Sequence, residues 1–275
     1  MVVRLLKNVL LGGRRALRRA GLDVGRLSSP SHAMSGLYLS WSTDNPAATR
    51  GMVIDVAEEG RAGHFFVADP RDEIQRHHLN GHFYEPRELE VIATHLGAGD
   101  YVDVGANVGN HLVYLALGSP ATRMVAFEPN PVARRLLEIN LRLNILAERV
   151  EVKPVALGAE AGVGALALTE HNLGAARIDS ARGTQPIVIE RGDDQLSDRI
   201  VSFIKIDTEG HEIAVLEGLA KTIARCRPSL FVEVSTANRE LFLRMMSDWK
   251  YREADNFARF GRGGNFLMLP QERSA

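Results

Sequence analysis

Cysteine is almost missing from this 275-residue chain: Cys226 stands alone, which excludes an internal disulfide framework and a cysteine-rich zinc site. A net charge is missing too. The formal −1 balances 33 basic against 34 acidic residues, so no global field draws the protein to nucleic acid, and none is expected as a partner. No apolar run is both long enough and uncharged enough to span a bilayer. The small-residue cleavage site of a secretory signal is also lacking, because arginines follow where it would stand. Repeats and low-complexity tracts are absent. These gaps leave a cytoplasmic, reducing setting as the expectation and put the functional weight on local motifs. What is present, 45% hydrophobic and 24% charged residues, is ordinary for a soluble domain with a large core.

One local basic surface opens the chain. Residues 1–26 carry Arg4, Lys7, Arg14, Arg15, Arg18, Arg19 and Arg26 against a single acid, Asp23. Two readings stand side by side: a helix lying on an anionic membrane or a partner, which would make the protein membrane-peripheral, and a solvated helix packed loosely on the domain. Residues 28–50, rich in Ser, Pro, Asn and Thr, read as a linker. The expected division is a basic extension and linker over 1–50 and a catalytic domain over 51–275, itself an appendage (51–99) followed by a core (100–275).

Within the appendage, MVIDV and HFFVAD read as strands around a turn at Gly60 and Gly63, followed by helices over Asp69–His78 and Arg87–Leu96. Beyond residue 100, apolar strand-like runs at Met124–Phe127, Val150–Val155, Ile200–Asp207, Ser229–Ser235 and Phe266–Leu269 are interleaved with helical periodicity. The helices fall at Val132–Leu146, Ile213–Ile223 and Arg239–Trp249. Ala165–Thr169 and Pro186–Glu190 break the alternation and predict a β insertion. The pattern predicts an α/β, Rossmann-like doubly wound sheet with an antiparallel finish.

The stretch Tyr101–Asn110, YVDVGANVGN, reads as a buried strand turning sharply into a helix at Gly105 and Gly109, the place where open α/β sheets bind ligands. A dinucleotide needs G-x-G-x-x-G, but here the middle glycine is Asn107 and the last falls one residue early. An amino-acid moiety needs donors for a carboxylate and acceptors for an ammonium, which Asn107 and Asp103 offer. That favours S-adenosylmethionine over a nicotinamide cofactor. Glu128 ends the next strand, 23 residues after Gly105, where an acid takes ribose hydroxyls; the competing reading is a helix cap.

At this point VDVGANVG, FEPNP, LEINLRLN, VALG, IKIDTEGHE and PSLFVE, in that order, resemble the FkbM family of S-adenosylmethionine-dependent methyltransferases. The resemblance runs from about Gly81 to Glu233 and includes FYE at Phe83–Glu85. It implies a seven-stranded class I methyltransferase sheet and methylation of a hydroxyl on a saccharide, glycolipid or secondary metabolite. It puts Asp103, Gly105, Asn107 and Gly109 around the methionine end of the cofactor, Glu128 on the ribose and Asn130 close to the adenosine. Ala156, in the VALG run, falls where the fold closes over adenine. Tyr84 and Glu85 read equally as folding over the cofactor, as the resemblance implies, and as capping the helix that starts at Pro86. Asn144 reads equally as a binding residue and as a helix cap.

The chemical centre is expected at Lys205–His211. In an extended strand Lys205, Asp207 and Glu209 project to one side, and such charges on an apolar central strand must converge on one another or on a ligand. An alcohol attacking a methyl group needs a base, for which Asp207, Glu209 and His211 are the candidates, with Glu233 next. Asp207 also borders the cofactor. His78 and His82 have ligand spacing but are interrupted by Gly81, so no metal is expected there. His171, Asn172 and Arg177 lie in the insertion and read either as substrate contacts or as ordinary loop residues, the second being the commoner case. The rivals to a methyltransferase are a nicotinamide-dependent oxidoreductase and a non-catalytic cofactor-binding module on the same fold.

Overall fold

A computed structural model describes residues 22–24, 37–41, 49–58, 60–119, 123–179, 181–259 and 263–271. The readings of residues 1–26 and 28–50 fall largely outside these residues. By their contacts the residues form two compact units, Met1–His82 and Phe83–Ala275.

In the first unit β1 (Leu22–Val24), β2 (Leu37–Trp41), β3 (Thr49–Glu58) and β4 (Arg61–Val67) make an antiparallel four-stranded sheet in chain order. The predicted hairpin is β3–β4. Its turn involves Gly60 (φ 79°), whereas Gly63 sits inside β4 opposite Val56. Helix α1 (Glu73–Leu79) begins at Asp72, whose carboxylate accepts from the Gln75 amide, and the buried His78 stacks on Phe65 at 3.8 Å.

The second unit begins with α2 (Pro86–Thr94), β5 (Asp100–Val104), α3 (Asn110–Gly118), β6 (Met124–Phe127), α4 (Pro131–Leu143) and β7 (Val150–Lys153). It continues through β8 (Ala156–Leu157), β9 (Gly162–Thr169), β10 (Asn172–Ile178), β11 (Gln185–Glu190), α5 (Gly192–Gln195) and β12 (Val201–Ile206). It closes with α6 (Glu212–Gly218), α7 (Ala220–Cys226), β13 (Ser229–Val234), α8 (Arg239–Asp248), β14 (Tyr251–Arg259) and β15 (Gly263–Pro270).

Seven strands form the main sheet in the order β14-β15-β13-β12-β5-β6-β7. The five from β7 to β13 are parallel, and β15 runs antiparallel to both β13 and β14. Predominantly apolar strands explain the parallel part: Val102, Val104, Ile204, Ile206, Leu230 and Val232 are all buried, as strands covered on both faces require. From β5 the chain first winds outward through β6 and β7, then returns to lay β12 on the other side. The reversal therefore lies between the carboxyl ends of β5 and β12.

The predicted β insertion is a separate four-stranded sheet, β10-β9-β11-β8. The Gly- and Asn-containing segment expected to link its strands contains one itself, β10. Strand β14 had no signal in the sequence: in YREADNFA only Tyr251 and Phe257 are buried, so there is little apolar alternation to read. The single helix expected over Ile213–Ile223 is two, α6 and α7, meeting at Leu219 (ψ 3°). Helix α4 stops at Leu143, capped by Asn144, whose Nδ2 donates to the Asn140 carbonyl at 2.8 Å. The cap reading offered for Asn144 is thus met.

Candidate functional site

The turn after β5 is built on backbone conformations that favour glycine. Gly105 has φ 82°, and a Cβ there would overlap the Asp207 carbonyl oxygen at the end of β12. Gly109 has φ 85°, and a Cβ there would overlap Leu137. Asn107 also lies in the left-handed region (φ 50°), tolerable for Asn. Asn140, buried in α4, donates to the Val108 carbonyl at 2.7 Å and fixes the turn from behind.

Glu128 closes the floor. Its two oxygens accept from the amides of Asn107 (2.7 Å) and Asn130 (2.8 Å), so the acid joins the ends of β5 and β6. Burial pushes it up to about 7, against the pull of those two amides. The helix cap proper is Asn130, whose Oδ1 accepts from the Val132 amide. Each Glu128 oxygen keeps acceptor capacity beyond its one bond. Asn107 Oδ1 and Asn130 Nδ2 are buried without a hydrogen-bond partner, a costly state that a polar ligand would relieve.

Across the reversal stands Lys205, buried in β12. Its ammonium lies 3.1 Å from Asp103 Oδ1 and 3.6 Å from Asp207 Oδ2, and donates to the Gly105 carbonyl at 3.3 Å. The other Asp103 oxygen accepts from the Tyr101 hydroxyl at 3.4 Å. Asp103 is wholly buried, and desolvation raises it above the usual carboxylate range although Lys205 opposes the shift. For Asp207 burial also acts upward, yet Lys205 and a hydrogen bond from Glu233 prevail and the net shift is downward.

Asp207, Glu209 and Glu233 each bring a carboxylate oxygen within 4.8 Å of the others. The convergence expected from alternation is there by another route. Strand β12 ends at Ile206, so the period-two pattern does not reach Glu209, and a turn with Glu209 at φ 50° brings it in. Glu233, at the end of β13, is pushed up to about 10 by the Asp207 charge, by burial and by its hydrogen bond to Asp207. The two carboxyls share a hydrogen bond, so the pair holds one proton between them.

His211 occupies the N-cap position of α6 without capping it, and burial lowers its pKa. Its Nε2 lies 3.3 Å from where a Cβ on Gly158 would stand, so the ring packs beside Gly158, and the converging carboxylates do not include it. Ala156 is buried in β8, paired with Ile189. Tyr84 is held by its backbone: Asn110 Oδ1 accepts from its amide at 3.0 Å and Asn110 Nδ2 donates to its carbonyl at 2.8 Å. Glu85 follows in the left-handed region (φ 56°), with Oε2 3.6 Å from His111 Nε2.

The sequence reading did not single out Asn110, His111, Asn140 or Glu212. Glu212, fully buried, accepts from the Ser235 amide at 2.8 Å and from Asn238 Nδ2 at 3.2 Å, fixing the chain just after β13. Asn110 and His111 follow Gly109 directly, so their place at the helix start was visible, but their partners lie 26 residues earlier. Away from the site, His82 is exposed, His171 faces Glu170 at 3.0 Å, and Asn172 Oδ1 accepts from the Ala175 amide. Arg177 is exposed in β10.

A reversal point with a glycine-bound turn, a strand-end acid beside it and an antiparallel seventh strand defines a class I methyltransferase sheet. The methyltransferase FkbM domain matches residues 103–253, more than half of the chain, which belongs to this family. Methyltransferase sdnD of Sordaria araneosa is 29% identical over 111 residues, 39% of this chain and 43% of that protein. This chain thus spans under half of that relative's length.

Among solved structures, the methyltransferase FkbM of Methylobacillus flagellatus KT aligns at 22% identity over 62% of this chain and 43% of its own, with a TM-score of 0.48. TrmK of M. capricolum, in complex with S-adenosylhomocysteine, aligns at 11% identity over 70% of each chain, with a TM-score of 0.45. Family membership sets the nicotinamide reading aside and makes S-adenosylmethionine the cofactor. The residues present fit it: Glu128 retains acceptor capacity for ribose hydroxyls, and the orphaned Asn107 and Asn130 atoms await polar partners.

Proposed function

We propose that the chain transfers the methyl group of S-adenosylmethionine to a hydroxyl of a saccharide, glycolipid or secondary metabolite. The observation that carries the reading is the group formed by Asp207, Glu209 and Glu233 at the carboxyl ends of β12 and β13, next to the cofactor turn. In this reading Glu128 takes the ribose hydroxyls, and Asn107, Asn130 and the backbone at Gly105 and Gly109 line the remainder of the nucleoside and methionine. Tyr84 and Glu85 close one side. Ala156, with His211 beside Gly158, walls the adenine side.

The bound donor supplies a methyl group on a sulfonium. The chain's own task is to aim an acceptor oxygen at that methyl and to remove its proton, and alignment alone contributes up to roughly 7–11 kcal/mol in well-oriented reactions. Asp207, kept ionised by Lys205, is the proton acceptor in this scheme. Glu233, raised above the usual carboxyl range, shares a hydrogen bond with Asp207, so the hydroxyl proton enters an existing hydrogen-bonded pair. Glu209, exposed on its turn, orients the hydroxyl. Asp207→Asn and Glu209→Gln are to be assayed with labelled methyl donor against hydroxylated acceptors. Loss of about a hundredfold or more in turnover with S-adenosylhomocysteine affinity intact is expected. Wild-type turnover in both variants removes the assignment.

A further inference from the structure

We infer that His111 and Glu85 hold the α-amino-acid end of S-adenosylmethionine, His111 donating to its carboxylate and Glu85 accepting from its ammonium, while Asp103 does not touch the cofactor. The inference rests on the cofactor reading above and supplies residues that the glycine-rich motif does not. The motif offers Asp103 as the ammonium's acceptor. In the structure Asp103 has no exposed surface, and its oxygens are engaged by Lys205 and Tyr101.

With the ribose at the end of β6 and the reacting carbon facing the ends of β12 and β13, the amino-acid end falls at the turn after β5 and the first turn of α3. His111 is the second residue of α3, a nine-residue helix whose first amides favour an anion. Its side chain is 8% exposed, and its Nε2 is buried with no hydrogen-bond partner.

Glu85 Oε2, on a side chain 9% exposed, lies 3.6 Å from that nitrogen, beyond a hydrogen bond and too near for a water between them. Burial and the Lys205 charge keep the imidazole neutral, against the smaller opposite pull of Asp207. A neutral donor beside a carboxylate is the complement of a zwitterion. Asn110 locks the pair together, since its side chain grips both backbone groups of Tyr84 and so fixes Glu85 against its own neighbour His111.

The test is calorimetric titration of the full chain with S-adenosylhomocysteine and with 5′-methylthioadenosine, which keeps the nucleoside and sulfur but lacks the amino-acid group. His111→Ala and Glu85→Gln should each weaken S-adenosylhomocysteine about tenfold or more, the size of a lost hydrogen bond to a charged group, and leave 5′-methylthioadenosine within about twofold of wild type. Glu128→Gln should weaken both ligands. Should His111→Ala not fold, Glu85→Gln carries the comparison, its shape being preserved. Binding of S-adenosylhomocysteine unchanged in the variants, or an equal loss for both ligands, overturns the inference while leaving the cofactor reading intact. A wild-type chain that binds neither ligand overturns both.

Discussion

Glu128 is the residue whose chemistry is most open to titration. Its folded value of about 7 stands above the ordinary 4.5, so the folded chain holds the proton more tightly than the unfolded one. Its contribution to stability is complete below pH 4.5 and is lost as the pH rises through about 7. In the proposed site cofactor binding runs the other way, because ribose hydroxyls would donate to the ionised form. Affinity for S-adenosylhomocysteine should therefore rise between pH 6 and 8 with release of a proton, and Glu128→Gln should bind weakly with a flat profile. Isothermal titration in buffers of different ionisation heat measures both.

Lys205 poses the opposite case, a buried cation between two carboxylates. Its replacement by Met leaves Asp103 buried without a counter-charge and should cost about 3–5 kcal/mol in urea unfolding. The proton held by the Asp207–Glu233 pair also bears on metals, since the spacing of the three carboxylates suits a divalent cation. That proton and the nearby Lys205 ammonium reduce the negative charge of the group, so millimolar Mg2+ or Mn2+ should give no rise in Tm; a clear rise contradicts this.

At the scale of elements, two contacts hold the cofactor turn, and each makes its own prediction. Asn140→Ala removes the side chain that pairs with the Val108 carbonyl and should cost about 1–3 kcal/mol, along with a weaker cofactor complex, because the turn loses its support. Gly105→Ala drives a methyl group into the Asp207 carbonyl and should abolish cofactor binding, read by thermal shift with S-adenosylhomocysteine. Elements dominated by apolar residues were legible beforehand: β6 is wholly apolar, β5, β12 and β13 are mostly so, and Met124–Phe127 matches its prediction at both ends.

What was hidden has identifiable causes. Strand β14 is largely polar because it completes the sheet's edge. The break between α6 and α7 follows Gly218, where a Cβ would overlap the Gly158 carbonyl, a contact across 60 residues of chain. His211 drew attention because it adjoins Lys205–Glu209 in sequence, whereas His111 meets Glu85 only through the fold. Periodicity shows which face of an element is buried; it does not show which distant side chain faces it.

For the whole molecule, the order of seven strands places the cofactor turn, the ribose acid and the carboxylate group at the carboxyl ends of four neighbouring strands, β6, β5, β12 and β13. That placement supports the proposal that residues from Tyr84 to Glu233 belong to one site. Among the described residues no helix is long and apolar enough to cross a membrane. The membrane-peripheral role offered for residues 1–26 is a separate proposal; deleting them should lower binding to anionic liposomes and leave binding to neutral ones unchanged.

Transfer of a 13C-methyl group from S-adenosylmethionine, followed by NMR of the product, tests the central claim most directly. The account predicts a base-stable methyl ether on a hydroxylated acceptor, lost in Asp207→Asn and retained when Cys226 is replaced by Ser. A methyl group found only on nitrogen or as a base-labile ester, or no transfer to any of a broad panel of saccharide, glycolipid and hydroxylated secondary-metabolite acceptors by a chain that binds S-adenosylmethionine, contradicts it.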